Sequence, residues 1–301
     1  MNYPMREPAQ QTMEELFQSS GIDGVRARTG LYERVVEGLG HYITSLRDPS
    51  AEVLRFPPVT NRAHIEKSGY LHSFPNLLGA VCCLQGSELE IRTAVDRPKS
   101  KEGWVAELVA TDLVLTPAAC YPLYPIIATR GPVPANGLVF DVMADCFRRE
   151  PSREIDRFQS FRMREFVRFG LPEHVYNFRE TWMARAPEIA DTLGVQHKVE
   201  VANDPFFGRS GKLMAINQLE QAAKFELLIP VRAGEKPTAC MSFNYHKDHF
   251  GAKWGFRSGA GEMIHTACVA FGIDRLTLAL FSAHGQTLSA WPKQTRAALA
   301  L

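Results

Sequence analysis

A charged stretch at residues 146–170 contains side chains whose types and spacing suit the binding of a phosphate and a flat ring. Because side chains alternate faces along a strand, Arg148 and Glu150 share one face of its first extended segment. A polar turn with Pro151 follows, and the returning segment places a second set on one face: Arg157, Gln159, Phe161, Met163 and Glu165. Arginine can fork onto a phosphate, and an aromatic ring can stack on a flat one. The alternative is a solvated hairpin whose charges pair with each other.

The order Phe147-Arg148-x-Glu150, followed after a loop by Phe161-x-x-x-Glu165, resembles motif 2 of the class II aminoacyl-tRNA synthetases. The resemblance implies that Arg148 binds the α-phosphate of ATP. It also implies that Glu150 accepts a hydrogen bond from the adenine amino group and that Phe161 stacks on the base.

Two further segments resemble the other motifs of that class. Apolar residues at helical spacing over 31–46, followed by a strand over 52–58, resemble motif 1, which builds the homodimer interface. The strand-to-helix junction at residues 271–275 resembles motif 3. There Arg275 would cover the adenine and reach the γ-phosphate. The alternative is an arginine that only forms a salt bridge at a helix start.

The segments 57–62 and 67–75 resemble the corresponding region of seryl-tRNA synthetases, and 115–123 lies where that family carries its amino-acid-binding loop. Cys120 stands where the ordinary seryl enzymes have an acid, and the methanogen-type branch uses zinc at this position. The resemblance to that branch implies that Cys120, Glu165 and Cys268 bind Zn²⁺, and that Cys120 and Glu165 also belong to the substrate site. Without the resemblance, both cysteines would be read as small buried apolar residues.

The resemblance also implies an ATP site in which Arg148 and Arg275 are catalytic and Mg²⁺ accompanies the nucleotide. Glu262 and Ser242 are candidate magnesium ligands. The expected ATP-binding residues are Arg148, Glu150, Arg157, Phe158, Phe161, Ala239, Cys240, Met241, Ser242 and Arg275.

The 301 residues carry 34 basic and 33 acidic side chains, a net charge of +1, without the basic excess typical of a large RNA-binding surface. The N-terminus lacks the apolar core of a signal peptide, and no run approaches the ~18 apolar residues of a membrane helix. The six cysteines are scattered rather than arranged as a disulfide framework. We therefore expect a cytoplasmic protein that does not bind a membrane.

We predict an α+β fold of the class II synthetase type, an antiparallel sheet flanked by helices, with the catalytic domain at 26–290. The remaining expectations are a flexible segment at 1–25, a small helical insertion at 172–194 and a C-terminal tail at 291–301. We also predict strands over 88–94, 104–115, 213–231 and 238–245, with an exposed loop at 246–249.

No heptad arm or basic domain precedes the motif 1 helix. The chain thus resembles the amino acid:carrier-protein ligases, truncated relatives of the methanogen-type seryl enzymes. This resemblance implies a homodimer that activates glycine or alanine with ATP and transfers it to the phosphopantetheine thiol of a small carrier protein. It implies no tRNA, and the helix at 172–194 would be the docking site. Two alternatives are a minimal aminoacyl-tRNA synthetase and a non-catalytic, synthetase-like binding protein.

Overall fold

A computed structural model describes residues 13–96, 103–232 and 234–301. Its main sheet has these strands: β3 (Glu52–Phe56), β7 (Leu138–Phe147), β8 (Ser160–Gly170), β9 (Lys198–Val201), β10 (Lys224–Ile229), β11 (Thr238–Lys247) and β12 (His265–Gly272). The strand order is β3-β7-β8-β12-β11-β10-β9. Neighbouring strands are antiparallel except β3 and β7, which are parallel. The predicted α+β fold, with a largely antiparallel sheet between helices, is confirmed.

Helices cover both faces of this sheet. One face packs against α1 (Gly30–Leu46), α6 (Pro172–Thr192), α9 (Ile273–His284) and α10 (Lys293–Leu299), and the other against α5 (Leu123–Ala128) and α8 (His249–Trp254). Alternation along the strands supplies both cores, since Phe166 of β8 faces the first helix layer and Val167 the second. The central strands are therefore largely apolar on both sides, apart from the positions that form the site and the buried ion pair of Asp141 with Arg164.

A second sheet of three strands lies beside the main one. Its strands are β4 (Val59–Asn61), β5 (Ala80–Leu84) and β6 (Leu108–Leu115), in the order β4-β6-β5. The nearby helices are α2 (Arg62–Lys67), α3 (Tyr70–Ser73) and α4 (Glu88–Asp96), with a 3-10 turn at Gly103–Glu107.

One predicted strand is wrong, and two more are wrong in part. Residues 88–94 are helical because Ser87 and Glu90 form a capping box: Ser87 N donates to Glu90 Oε2 over 2.7 Å, and Glu90 N donates to Ser87 Oγ over 3.4 Å. The strand expected over 104–115 begins only at Leu108. The segment 213–231 splits into helix α7 (Gly208–Glu220) and strand β10.

The expected N-terminal and C-terminal segments also differ from the structure. The described part of 1–25 contains strand β1 (Phe17–Ile22), which forms a hairpin with β2 (Val25–Arg28); residues 1–12 lie outside the described residues. In the tail, Leu299 of α10 is fully buried and its carbonyl contacts Gly38 of α1, where a Cβ would not fit.

Helix α6 covers almost all of the expected insertion at 172–194. It continues through Pro187, and its buried residues Val175, Trp182 and Ile189 pack in the main core. Trp182 lies 5.0 Å from Phe166 of the central strand β8, measured between ring centroids. This helix is therefore a layer of the fold rather than an element added at its surface.

Candidate active site and metal centre

Three buried side chains that are far apart in sequence converge at the centre of the main sheet. The ligand atoms of Cys120, Glu165 and Cys268 all lie within 4.8 Å of one another. Glu165 is on β8 and Cys268 on the adjacent β12, while Cys120 lies in the loop between β6 and α5. The structure therefore brings together the set that the sequence predicts to bind a metal.

The chemistry of this donor set fits a divalent metal ion such as zinc. Burial raises the pKa of the Glu165 carboxyl, and a hydrogen bond with Cys120 together with burial raises the pKa of the Cys268 thiol. Both shifts favour the protonated forms of these groups when no cation is bound. A dication would replace those protons, because thiolates and carboxylates bind metals in their ionised forms. Three protein ligands with one position left open is the arrangement of a catalytic zinc.

Two side chains of β11 contact the sulfur of Cys268. Asn244 Nδ2 donates to Cys268 Sγ over 3.3 Å, and His246 Nε2 lies 3.6 Å from the same sulfur. His246 Nδ1 lies 3.0 Å from the hydroxyl of Thr266, and burial lowers the pKa of His246 to about 3, which keeps the ring neutral. If Thr266 donates to Nδ1, Nε2–H is left to donate to sulfur. The expectation that His246 lies in an exposed loop is wrong because β11 extends to Lys247.

The expected ATP residues line the same cavity, which has a volume of about 580 Å³. Arg148 Nε donates to the Pro117 carbonyl over 3.0 Å, and the guanidinium carbon lies 5.5 Å from the centre of the Phe161 ring. Arg275 Nη1 donates to the Ala239 carbonyl over 3.1 Å. The predicted residues that line the cavity are Cys120, Arg148, Glu150, Phe158, Phe161, Glu165, Ala239, Cys240, Met241, Ser242, Cys268 and Arg275.

Two predicted residues lie elsewhere. Arg157 is not among the described cavity residues, and its Nε lies 3.6 Å from Glu154 Oε2 on the surface of the loop. Glu262, a candidate magnesium ligand, lines a separate depression, where its carboxylate accepts from Ser258 Oγ over 3.1 Å. Glu226 of β10 does line the main cavity, and the sequence analysis overlooked it.

Two curated proteins match the chain over nearly its whole length. Amino acid–(acyl-carrier-protein) ligase 1 of Bradyrhizobium diazoefficiens is 58% identical over 295 residues, which are 98% of this chain and 90% of that protein. Ligase 2 of the same organism is 57% identical over 298 residues, 99% and 89% of the two chains. The chain belongs to the amino acid–(acyl-carrier-protein) ligase family. The sequence-based resemblance is confirmed.

More distant relatives are seryl-tRNA synthetases. The type-2 serine–tRNA ligase of Methanopyrus kandleri is 25% identical over 287 residues, 88% of this chain and 52% of that enzyme. The crystal structure of M. kandleri SerRS in complex with A. aeolicus tRNASec matches with a TM-score of 0.81 at 20% identity, covering 98% of this chain and 60% of that one. The chain thus spans about half to three fifths of these relatives, and the match confirms the class II fold.

A second solved structure, seryl-tRNA synthetase from Pyrococcus horikoshii complexed with ATP, matches with a TM-score of 0.65 at 15% identity, covering 92% of this chain and 57% of that one. No protein-family model matches the chain. Across residues 13–96, 103–232 and 234–301, no helix has the length and apolar character needed to cross a membrane.

In this ligase the cavity continues past the three metal-binding candidates to helix α7. Gln218 of α7 donates from Nε2 to Asp204 Oδ2 over 2.9 Å, and Lys224 Nζ donates to Asp204 Oδ1 over 2.6 Å. Burial alone would raise the pKa of Asp204, but the charge of Lys224 and the hydrogen bond from Gln218 hold it below its ordinary value. The sequence analysis missed this ionised acid because its partners come from two separate elements, α7 and β10.

Proposed function

We propose that this chain activates a small amino acid, glycine or alanine, with ATP and transfers it to the phosphopantetheine thiol of a carrier protein. The observation that carries the proposal is that the Cys120–Glu165–Cys268 cluster opens into the same cavity as Arg148 and Arg275. One pocket thus offers ligands for a metal that binds an amino group and cations for a triphosphate. The relatives at 58% and 57% identity carry the name of this reaction.

In the first step the amino acid carboxylate attacks the α-phosphorus of ATP. A carboxyl oxygen–phosphorus bond forms, the bond between the α-phosphorus and its bridging oxygen breaks, and pyrophosphate leaves with Mg²⁺. Arg148 is held by the Pro117 carbonyl through Nε, which leaves its Nη atoms for the α-phosphate. Positioning and charge neutralisation by Arg148 and Arg275 supply most of the catalysis. Ser242 is the cavity residue we retain as a candidate magnesium ligand.

We assign zinc to Cys120, Glu165 and Cys268, with Asn244 and His246 holding the Cys268 sulfur. When bound, zinc would act as a Lewis acid that coordinates the free amino group of the substrate and so selects α-amino acids. The chain itself fixes the ligands, because the backbone N–H of Cys120 donates to Glu165 Oε1 over 3.1 Å.

Bulky rings near the cluster support a small substrate. Tyr121 and Phe250 line the cavity with ring centroids 5.9 Å apart, and Phe250 stacks on Tyr124 at 3.9 Å. These rings are packed in a buried layer, so they cannot move aside cheaply. A hydrogen atom or a methyl group as the amino acid side chain fits such surroundings best.

In the second step the thiolate of the carrier attacks the carbonyl carbon of the adenylate. A carbon–sulfur bond forms, the bond between carbonyl carbon and phosphate oxygen breaks, and AMP leaves. The proposed approach is from the α7 end of the cavity, which Met214, Asn217, Gln218 and Gln221 line. We propose that the thiol arm enters at this end while the adenylate is bound.

We propose helix α7, rather than α6, as the docking site for the carrier. Leu213, Ile216 and Leu219 follow one another at helical spacing on α7 and are 61%, 50% and 39% exposed. Arg209 and Lys212 add positive charge to the same helix. An exposed apolar stripe beside cationic side chains suits a partner with an acidic, partly apolar surface. Helix α6 instead buries its apolar side in the core.

We also propose a homodimer. Strand β3 is an edge of the main sheet, and Val53 on it is 43% exposed. Trp104 and Leu113, beside and on the small sheet, are 49% and 43% exposed. Large exposed apolar side chains and an open strand edge are the features that subunit contacts cover. Light scattering of the purified protein tests this, and a monomer at micromolar concentration would contradict it.

We keep a cytoplasmic location as a prediction, because all six cysteines are free.

Transfer to three acceptors tests the proposal. The protein is incubated with ATP, labelled glycine or alanine and either holo-carrier, carrier lacking phosphopantetheine, or bulk tRNA. We expect label on the holo-carrier alone, in an alkali-labile thioester. Label on tRNA would favour the minimal synthetase, and ATP binding without any transfer would favour the binding protein.

The docking site has its own matched pair of variants. Ile216→Glu should raise the KM for the carrier while leaving amino-acid-dependent pyrophosphate exchange unchanged, because it alters only the docking surface. Leu89→Glu places the same charge on a more exposed helix position of α4, 75% against 50% for Ile216, and should change neither quantity. Equal carrier KM values for the two variants would show that helix α7 is not the docking site.

A further inference from the structure

The hairpin formed by β1 and β2, called here the N-terminal hairpin, contacts the loop at residues 148–159 along most of its length. This loop joins β7 to β8 and carries Glu150 and Phe158 into the cavity. We propose that the N-terminal hairpin is a brace that holds this loop in its ATP-binding conformation, with Arg26 as the positioning residue. The inference rests on the proposed function in one respect: the loop is taken as part of the ATP site.

Arg26 binds three consecutive carbonyl groups of the loop. Its Nη2 donates to the Arg153 carbonyl over 3.0 Å and to the Glu154 carbonyl over 3.2 Å, and its Nη1 donates to the Glu154 and Ile155 carbonyls over 3.3 Å. Only a guanidinium has enough donors in a fixed fork for such a set. The sequence separation is 127–129 residues, so these bonds are tertiary.

The turn of the hairpin binds the far end of the loop. Gln159 N donates to the Gly24 carbonyl over 2.9 Å, and Gln159 Nε2 donates to the Asp23 carbonyl over 2.7 Å. Gly24 has a φ of +77°, and a Cβ there would lie 3.1 Å from Gln159 Cγ. Both the left-handed conformation and the close approach therefore require glycine.

Apolar packing and a second arginine extend the contact to the rest of the ATP site. Phe17 of β1 packs on Phe158 with ring centroids 5.8 Å apart, and both side chains are buried. Arg28 of β2 forms an ion pair with buried Asp274, with 2.8 Å between Nε and Oδ1. Asp274 directly precedes Arg275. The hairpin thus contacts both polypeptide segments that bind the nucleotide.

The geometry predicts an effect on ATP that spares the amino acid. A loop already held in its bound shape loses less conformational freedom when the ligand binds, and this raises affinity. The hydrogen bonds and ion pairs of Arg26 and Arg28 go to the loop, to Ser160 and to Asp274, and none involves Cys120, Glu165 or Cys268. Releasing the brace should therefore weaken ATP binding and leave the metal-side half of the cavity intact.

The test compares Arg26→Ala and Arg26→Lys with Arg62→Ala, which removes an exposed arginine whose ion-pair partners in the described part of the chain are Glu66 and Asp112. We measure ATP affinity by calorimetry, hydrogen exchange of the amides at 150–159, and the KM for the amino acid in pyrophosphate exchange. For Arg26→Ala we expect ATP affinity to fall about tenfold, loop amides to exchange faster and the amino acid KM to stay unchanged. Arg26→Lys should also lower the ATP affinity and speed up exchange of the loop amides, because a lysine ammonium group cannot donate to all three carbonyl groups at once.

Three results would overturn the brace, and the first two are unchanged ATP affinity in Arg26→Ala and equal losses for ATP and the amino acid. Equal effects of the Arg26 and Arg62 variants would also overturn it, since they would indicate a general effect of lost charge. The outcome is separable from the proposed function. A wild-type protein that binds ATP but exchanges pyrophosphate with no amino acid defeats the function, while ATP affinity and amide exchange still decide the brace.

Discussion

The backbone N–H of Cys120 donates a hydrogen bond to the carboxylate of Glu165 over 3.1 Å, across 45 residues of sequence. This bond fixes the loop after β6 on the central strand β8. Cys268 approaches from the adjacent strand β12, and the three ligand atoms lie within 4.8 Å of one another. The hydrogen bond from Cys120 and the pairing of β8 with β12 hold these ligands in position.

Removing one thiol tests the metal centre. Cys268→Ala should reduce bound zinc from one ion per chain to a small fraction, because two protein ligands rarely retain zinc. Metal content is measured by mass spectrometry of the purified protein. Cys146→Ala is the matched control, since Cys146 is equally buried and lies outside the cluster. Full zinc occupancy in Cys268→Ala would contradict the assignment.

Removing the side-chain amide of Asn244 tests whether its hydrogen bond to the Cys268 sulfur supports Cys268 as a metal ligand. Asn244→Ala deletes the N–H that donates to Cys268 Sγ, and we expect zinc affinity to fall on the order of tenfold. Competition with a chelator measures the affinity, and the thiolate-to-metal absorption of the cobalt-substituted protein reports the altered sulfur. Identical affinity and spectrum would show that the contact has no influence on the metal.

A lysine at position 148 keeps the positive charge of Arg148 but lacks the guanidinium group, which tests the proposal that Arg148 binds the α-phosphate. Arg148→Lys also loses the bond from Nε to the Pro117 carbonyl, and we expect the rate of pyrophosphate exchange to fall at least ~100-fold. Arg149→Lys makes the same change at the neighbouring exposed residue and should leave the rate within about twofold of wild type. Similar rates for the two variants would remove Arg148 from catalysis.

A buried aspartate gives a pH-dependent prediction. Asp141 accepts hydrogen bonds from Arg164, Arg55 and Arg47. Burial alone would raise its pKa, but the bonds from Arg164 and Arg55 hold it below the ordinary 3.8. Asp141 therefore stabilises the folded state above that pH and loses this contribution as the pH falls through the lowered value.

Asp141→Asn should accordingly lower the free energy of unfolding by about 3 kcal/mol at neutral pH, because arginines are left buried without their counter-ion. The difference from wild type should begin to shrink below about pH 4, where the unfolded chain takes up a proton at this position, and should vanish once the pH falls below the lowered pKa of folded Asp141. Urea unfolding at a series of pH values measures both quantities. A difference that stays constant across this range would contradict the role of the ionised carboxylate.

The sequence predicts the central strands well because their local pattern and their chemistry agree. Phe161 and Glu165 are an even number of residues apart, so a strand places them on the same face. The apolar run before Gly272 is typical of a buried strand that leads into a helix. The separation of the three metal-binding candidates in sequence did not matter, since the family resemblance assigned each one independently.

Other elements depend on contacts that no local pattern reveals. Helix α7 carries exposed apolar side chains, among them Leu213 and Ile216. The sequence alone does not show that these side chains are exposed, so the segment was interpreted as part of a strand. The N-terminal hairpin is ordered by a loop nearly 130 residues away, through Arg26. For Asn244 and His246 the signal was present, because alternate residues of one strand share a face. For His246 it was obscured by a strand end placed two residues too early, whereas Asn244 lies within the predicted strand and was overlooked.

Amino-acid-dependent exchange of pyrophosphate into ATP tests the central claim most directly. The zinc-loaded protein is assayed with each small amino acid in turn, and Arg148→Lys serves as the inactive reference. We predict exchange with glycine or alanine, weaker exchange with serine, and none without an amino acid. Absence of exchange with every small amino acid, in a protein that contains zinc and binds ATP, would contradict the proposal that this chain forms an aminoacyl-adenylate.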